Sequence, residues 1–348
     1  MPGGYAAFVA DAIVDAAGQA WPPFVLVAGL LLIGAVVEAD GLFRAVGMRI
    51  ERLGGGPIRL LAVLLGVEAI VTALLNLDTA VVFLTPIILH AARQRRCDER
   101  PFLYGSLFIA NGASLLLPGS NLTNLIVLAH EHISGAEFAR SMLLPWLVVV
   151  VVTVAFLVVA YPLRDERATA SEPLPPLRLR LGAVATGAAT VLILVLRDPA
   201  LPVFAVGIAA IAVRRLRPRL DLYVLPALFL LAVALGTLAR RWDGPSQLLG
   251  HAGRAGDAAI GALASVALNN LPAATLLSAQ RPTHPMELLI GLNLGPNLAF
   301  TGSLAAYLWY RAARRAGARP SLKQASLLGA LLVPLTIAAA LAALAVKI

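Results

Sequence analysis

Residues 69–89 read AIVTALLNLDTAVVFLTPIIL, an apolar run of membrane length interrupted near its middle by Asn76, Asp78 and Thr79. An acid at the centre of a membrane helix costs about 2.5–3.5 kcal/mol on insertion scales, so Asp78 marks a site by default. A weaker echo, GALASVALNNLPAATLLSAQ, occupies residues 261–280, with Asn269 and Asn270 at the matching break. Two polar-tipped apolar segments in corresponding halves of a chain are the sequence pointer to a secondary transporter.

The rest of the composition agrees. Of 348 residues, 59% are hydrophobic and 14% charged, against about 25% charged in a soluble domain. Mean hydropathy is +0.83. The fold class is therefore an all-α polytopic membrane protein, with no polar segment long enough to fold outside the bilayer. A net charge of +9 would suit nucleic acid in a soluble protein. Here the arginines cluster in short loops between apolar runs, as membrane orientation requires, so no nucleic-acid partner is expected. The single cysteine, Cys97, excludes an internal disulfide and a multi-thiolate metal site. Residues 1–20 hold Asp11 and Asp15 but no Lys or Arg, unlike a cleavable signal peptide, and suit a short interfacial helix.

A spanning helix needs about 17–25 apolar residues. Trp21–Ala39 is the first such segment, followed by a basic loop with the breaker Gly54-Gly55-Gly56-Pro57. Residues 58–92 are too long for one straight helix and short for two spans, so they predict a re-entrant hairpin with its tip near Asn76–Asp78. Non-helical backbone at that depth is tolerated only where it is buried in protein or lines a cavity. Residues 102–130 are also too long, and their centre, NGASLLLPGSNLTN, carries Pro118-Gly119. Proline removes a donor and glycine loosens the backbone, which predicts a discontinuous helix.

Met142–Leu163, Leu181–Leu196, Ala200–Val213, Leu222–Ala239 and Leu322–Val346 are further spans, with Arg240–Gly256 a polar loop. Residues 257–281 form the second hairpin, and 286–311, containing NLGPNLAFTGS, the second broken helix. The two breaks share a register, since Asn111 to Ser120 and Asn293 to Gly302 are both nine residues.

Threading these spans puts loops 40–59, 93–100, 164–180, 214–219 and 311–323 on one side, and they hold 21 of the 28 Lys and Arg residues. By the positive-inside rule that side is cytoplasmic. The first hairpin then enters from the cytoplasm and the second from outside. The expected architecture is about eight spanning helices, two of them discontinuous, plus two re-entrant hairpins in inverted repeats. Residues 1–165 form the first repeat, 166–180 a cytoplasmic linker, and 181–348 the second.

The chemistry sits at the breaks. Asn76, Asp78 and Thr79 occupy the first tip, with Thr85-Pro86 on the return arm and Glu68 on the entering arm. Asp78 suits a coupling-ion ligand or proton carrier, or else a cap for the return arm. Glu68 is either a proton relay or an acid facing an aqueous vestibule. Asn269 and Asn270 offer amides at an acid-free second tip. The broken helices add Asn111, Ser114, Ser120, Asn121 and Asn124, and opposite them Asn293, Asn297, Thr301 and Ser303. Half-helix ends and unwound carbonyls facing a cavity make substrate and ion sites. His130-Glu131-His132 does not place two ligands on one helical face, and HExxH is absent, so no metal is expected. No cofactor and no catalytic dyad are expected either.

At NLDTAVVFLTPI (76–87), FIANGASLLLPGSNLTNLI (108–126), LNNLPA (268–273) and NLGPNLAFTGSLAAYLW (293–309) the sequence resembles the arsenite/antimonite efflux permeases of the ion-transporter superfamily. That superfamily also contains sodium/proton antiporters and dicarboxylate carriers. The resemblance implies two hairpins, two broken helices and movement of one part against a scaffold. It departs where the permeases usually read NDG, here Leu77-Asp78-Thr79. Asn111 and Asn293 stand where those permeases tend to carry Asp, and Asn297 replaces a Lys. The amino-terminal spans of longer members are expected to be missing.

The implied activity is export of a small neutral metalloid, arsenite or antimonite, coupled to the proton or membrane-potential gradient. The alternatives are a sodium/proton antiporter and an organic-anion carrier of the dicarboxylate or citrate type. The implied partners are the lipid bilayer, a small-molecule or ion substrate, a second copy of the chain, and an arsenic ATPase subunit, since no ATP-binding motif occurs here. The expected location is the inner (plasma) membrane.

Overall fold

The structure is a computed structural model, and it describes residues 2–51, 55–129, 131, 133–163, 180–217 and 224–346, without the side chains of residues 2–9 and 51. The expected linker at 166–180, apart from Arg180, and the histidines of the His130-Glu131-His132 run lie outside the described residues.

Fifteen α-helices follow one another with no strand among the described residues. They are α1 (Pro2–Ala39), α2 (Leu42–Glu51), α3 (Pro57–Leu74), α4 (Leu77–Gln94), α5 (Arg100–Ala113), α6 (Leu122–Leu128), α7 (Gly135–Ala160) and α8 (Leu181–Val195). The chain continues with α9 (Ala200–Arg214), α10 (Val224–Ala239), α11 (Gly244–Leu268), α12 (Asn270–Leu277), α13 (Pro285–Leu294), α14 (Leu304–Arg315) and α15 (Leu322–Ala345).

Among the described residues, four helical segments are long and apolar enough to cross a membrane: Ala10–Ala39 of α1, α3, α7 and α15. The count rises to five if α10 and α11, bent by 87° at a break, are one span. This is fewer than the eight expected. The two apolar helices α8 and α9 have 15 residues each, about 22 Å at 1.5 Å per residue, short of the roughly 30 Å hydrocarbon core.

Two expectations are corrected. Residues 1–20 are not a separate interfacial helix, because α1 runs unbroken through Pro22 and Pro23. A buried stripe at four-residue spacing, Ala12, Ala16, Ala20 and Phe24, crosses the proline pair without a change of phase, and packing of that stripe holds the helix straight. Nor is 240–256 a polar loop. Helix α11 begins at Gly244 and is interrupted only at Gly253, whose φ of +65° and ψ of 177° are non-helical.

Helix is interrupted in both segments where a break was predicted. Between α5 and α6 the chain makes one 3₁₀ turn at Pro118–Ser120. Between α13 and α14 it makes two, at Gly295–Leu298 and Phe300–Gly302. The predicted tips are also breaks: α3 gives way to α4 at Leu75-Asn76, and α11 to α12 at Asn269, whose φ is +80°. In each pair the two helices pack on one another.

Helix α5 is the centre of the molecule, with every residue from Pro101 to Ala113 buried. Around it and the α3–α4 pair lies one apolar core, and around α6, α12 and α13 a second. The two breaks meet between these cores. Two close approaches fix the meeting. A methyl at Gly291 would run into the Ala258 carbonyl of α11, and one at Gly329 of α15 into the Asn297 carbonyl.

Candidate functional site

Each break frees backbone groups that must find partners, because an unpaired buried polar group costs as much as a lost hydrogen bond. In the first break, Asn124 Nδ2 donates to the Ser114 carbonyl at 2.7 Å and to that of Leu117 at 3.2 Å. Ser120 Oγ lies 2.5 Å from the same two oxygens. Trp146 Nε1 of α7 takes the Ala113 carbonyl at 3.1 Å. Asn121 caps α6 by accepting from the Thr123 N–H at 3.1 Å.

The two breaks are then joined by side-chain amides. Asn293 Oδ1 accepts from Ser114 Oγ and from Asn121 Nδ2, each at 2.6 Å. Its Nδ2 donates to Asn124 Oδ1 at 2.8 Å and to the Leu289 carbonyl at 2.9 Å. All four positions of the Asn293 amide are therefore filled. Asn111 Nδ2 donates to Asn297 Oδ1 at 2.8 Å, and Asn297 Nδ2 to the Phe108 carbonyl at 3.3 Å. Asn111, Ser114, Ser120, Asn121, Asn124, Asn293 and Asn297 thus form one buried network. Among the described residues no cation or acid bonds to it. A small cleft of about 10 Å³ lies beside Asn297, lined by residues of α5, α14, α15 and the second break.

The remaining candidates are placed apart. Asn269 Nδ2 donates to the Thr301 carbonyl at 3.0 Å, and Thr301 Oγ1 to the Val266 carbonyl at 3.2 Å, so the α11–α12 tip rests on the second break. Asn270 is buried beside it and makes no side-chain hydrogen bond. Ser303 caps α14 by accepting from the Ala306 N–H at 3.3 Å. Asn76 caps α4, accepting from the Thr79 N–H at 2.7 Å. Asp78 therefore does not act as the cap. It stands in the first turn of α4, half-buried, with no side-chain hydrogen bond or ion pair among the described residues. An acid in the first turn is favoured by the helix dipole.

Glu68 does not face a vestibule. It is fully buried between α3 and α5, where Ser106 Oγ meets its Oε1 at 2.6 Å and Thr85 Oγ1 meets Ser106 at 2.8 Å. Three buried polar atoms near the breaks have no partner: Asn76 Nδ2, Asn111 Oδ1 and Thr123 Oγ1.

Sequence reasoning passed over Asp257. This acid on α11 is fully buried and meets His284 Nδ1 at 2.9 Å where α13 begins. Its position just past an expected loop, within GHAGRAGDAA, hid it; the alternating small residues that let α11 approach α13 were the available signal.

Against this geometry the likeness to known proteins is specific. The sequence profile described as citrate transporter matches residues 4–346, almost the entire chain. The chain belongs to the citrate transporter family. Other members of the wider group are similar at lower coverage. An arsenical pump membrane protein of Escherichia coli is 28% identical over 326 residues, 80% of this chain and 76% of that protein. The uncharacterized transporter Rv2685 of Mycobacterium tuberculosis is 27% identical over 143 residues, 40% of this chain and 33% of that protein. The silicon efflux transporter LSI3 of Oryza sativa subsp. japonica is 29% identical over 113 residues, 32% of this chain and 23% of the rice protein. The match to the mycobacterial transporters spans about a third of their length. As a citrate transporter family member, the chain is a multi-pass membrane protein of the ion-transporter superfamily.

Proposed function

We propose that this carrier moves a small, uncharged, hydroxyl-rich acid, arsenite or antimonite in their neutral forms, outward across the inner membrane at the expense of the proton or membrane-potential gradient. The observation that carries the reading is the charge-free chemistry of the meeting breaks. Amides and hydroxyls can exchange their mutual hydrogen bonds for those of a neutral trihydroxy acid, whereas a multiply charged anion at this depth would need fixed cations. No Lys or Arg occurs between residues 101 and 139 or between 282 and 310. Two of the relatives, the arsenical pump and the silicon efflux transporter, are named for elements whose hydroxides are neutral acids.

In this reading α3–α4 and α11–α12 are re-entrant hairpins, α5–α6 and α13–α14 are discontinuous spans, and 1–165 and 181–348 are inverted repeats. The network residues, with Asn76, Thr79, Asn269, Asn270, Thr301 and Ser303, line the substrate path once the breaks part. Asp78 carries the coupling ion, with Glu68 behind it. A second copy of the chain and an ATPase subunit are the partners to be sought.

A second reading, an organic-anion carrier, has its own support: the family match over residues 4–346 carries the name citrate. By likeness alone it stands at least level with the metalloid reading. Everted membrane vesicles decide between them. The metalloid reading expects uptake of labelled arsenite, driven by an imposed pH gradient and lost in Asp78→Asn. Gradient-driven citrate flux without arsenite flux would transfer the conclusion to the second reading.

A further inference from the structure

Six helical threonines of this protein return their hydroxyl protons to the carbonyl one turn back. Thr153, Thr186, Thr190, Thr237, Thr275 and Thr336 all do so, at 2.7–3.0 Å. Thr72 on α3 does not. It is fully buried, and its Oγ1 has no partner. One turn before it on the same face stands Glu68, whose Oε2 is also buried and unpartnered. The other carboxyl oxygen ends a chain of hydroxyls: Thr85 Oγ1 to Ser106 Oγ at 2.8 Å, and Ser106 Oγ to Glu68 Oε1 at 2.6 Å. Because Ser106 has one proton and gives it to Glu68, Thr85 must donate to Ser106, and the chain points inward to the carboxyl.

A carboxylate fully removed from water requires a positive partner. The titratable groups on the helices packed against α3 do not supply one. Arg44 and Arg49 of α2, Asp78, His90 and Arg93 of α4, Arg100 and Tyr104 of α5, and Glu137 and Arg140 of α7 make no hydrogen bond or ion pair with Glu68, nor does Arg59 of α3 itself. The partner must come from solution, and the close contacts around Ser106 favour the one cation that needs no volume.

We infer that Glu68, Thr72, Thr85 and Ser106 form a buried proton-binding site, separate from Asp78, in which the proton resides on Glu68 Oε2. A hydroxyl both donates and accepts, so the site serves both states. Protonated, Oε2–H donates to Thr72 Oγ1 after a rotation of that hydroxyl group, while Oε1 accepts from Ser106. Deprotonated, Thr72 and Ser106 each donate to one carboxylate oxygen. Thr85 lies seven residues after Asp78, on the same face of α4 about 10 Å along its axis, so the half-buried acid is the outer end of the path and Glu68 the inner end. This deepens the gradient-coupled reading above by assigning a residence to the proton.

The test is infrared spectroscopy of the full chain in lipid nanodiscs at neutral pH, reading the C=O stretch of a protonated carboxylic acid. The expected result is a band present in the wild type and in Asp78→Asn, absent in Glu68→Gln, and moved in Ser106→Ala and Thr72→Val. Labelling with carboxyl-¹³C glutamate should shift the band and labelled aspartate should not, which keeps the test decisive if Glu68→Gln fails to fold. A neutral-pH spectrum without such a band, or a band that persists in Glu68→Gln, overturns the inference. Gradient-driven flux is measured separately: an intact Glu68 band with flux indifferent to pH supports the proton site and counts against the carrier's proposed coupling.

Discussion

At the scale of single residues, the amide of Asn293 is the strictest requirement in the molecule. Asn293→Ala would leave the Asn124 Oδ1 buried without a partner and the Asn121 Nδ2 with only the Ser114 Oγ at 3.5 Å, while Ser114 could turn to the Asn111 carbonyl, also 2.6 Å away. One unsatisfied group predicts a loss of about 1–3 kcal/mol, read as a lower unfolding midpoint in detergent. Asn293→Asp, which restores the acid that the arsenite permeases tend to carry, keeps the acceptor but sets an oxygen against Asn124 Oδ1. It should destabilise as well, and an unchanged midpoint in both variants would remove the network from the account. The Asp78 carboxylate behaves oppositely. It makes no bond that its amide analogue would lose, so Asp78→Asn should leave the unfolding midpoint within about 0.5 kcal/mol of wild type, as for a substitution away from a structural partner, while abolishing gradient-driven flux.

At the scale of elements, the breaks are held from outside as well as from within. Gly329→Ala would push α15 off the Asn297 carbonyl and with it the second break; overpacking of this kind costs about 1–3 kcal/mol, and thermal unfolding checks it. Ser134→Ala removes the reciprocal capping box with Glu137 at the start of α7, a loss of about 1 kcal/mol that should leave transport unchanged. The breaks themselves were legible beforehand because their causes are local. Pro118-Gly119, Gly295-Pro296, Asn76 and the Asn269-Asn270 pair interrupt apolar runs, and all four interruptions occur where the sequence placed them. What was not legible depends on partners distant in sequence. Glu68 reads as either a proton relay or a vestibule acid until Ser106, 38 residues away, closes over it. The amides of Asn111, Asn121, Asn124, Asn293 and Asn297 read as cavity ligands until they are seen to bond one another. Residues 1–20 read as a separate interfacial helix because only packing of the buried stripe joins them to Trp21–Ala39.

At the scale of the whole molecule, the proposed inverted repeat predicts opposite exposure for the two sets of loops. In a Cys97→Ser background, a single cysteine at the exposed Arg96 should react with a membrane-impermeant thiol reagent only from the cytoplasmic side. One at the exposed Gln280 should react only from the other side. Labelling of both from one side would refute the inversion. The central claim is that a fold named for citrate holds, at its meeting breaks, a charge-free site for a neutral acid driven by the proton gradient through Asp78. Its most direct test is flux in proteoliposomes under an imposed pH gradient, with labelled arsenite and labelled citrate measured in parallel. The account predicts arsenite flux that rises with the gradient, disappears in Asp78→Asn, and is not competed by citrate. Citrate flux under the same gradient with arsenite excluded would contradict it.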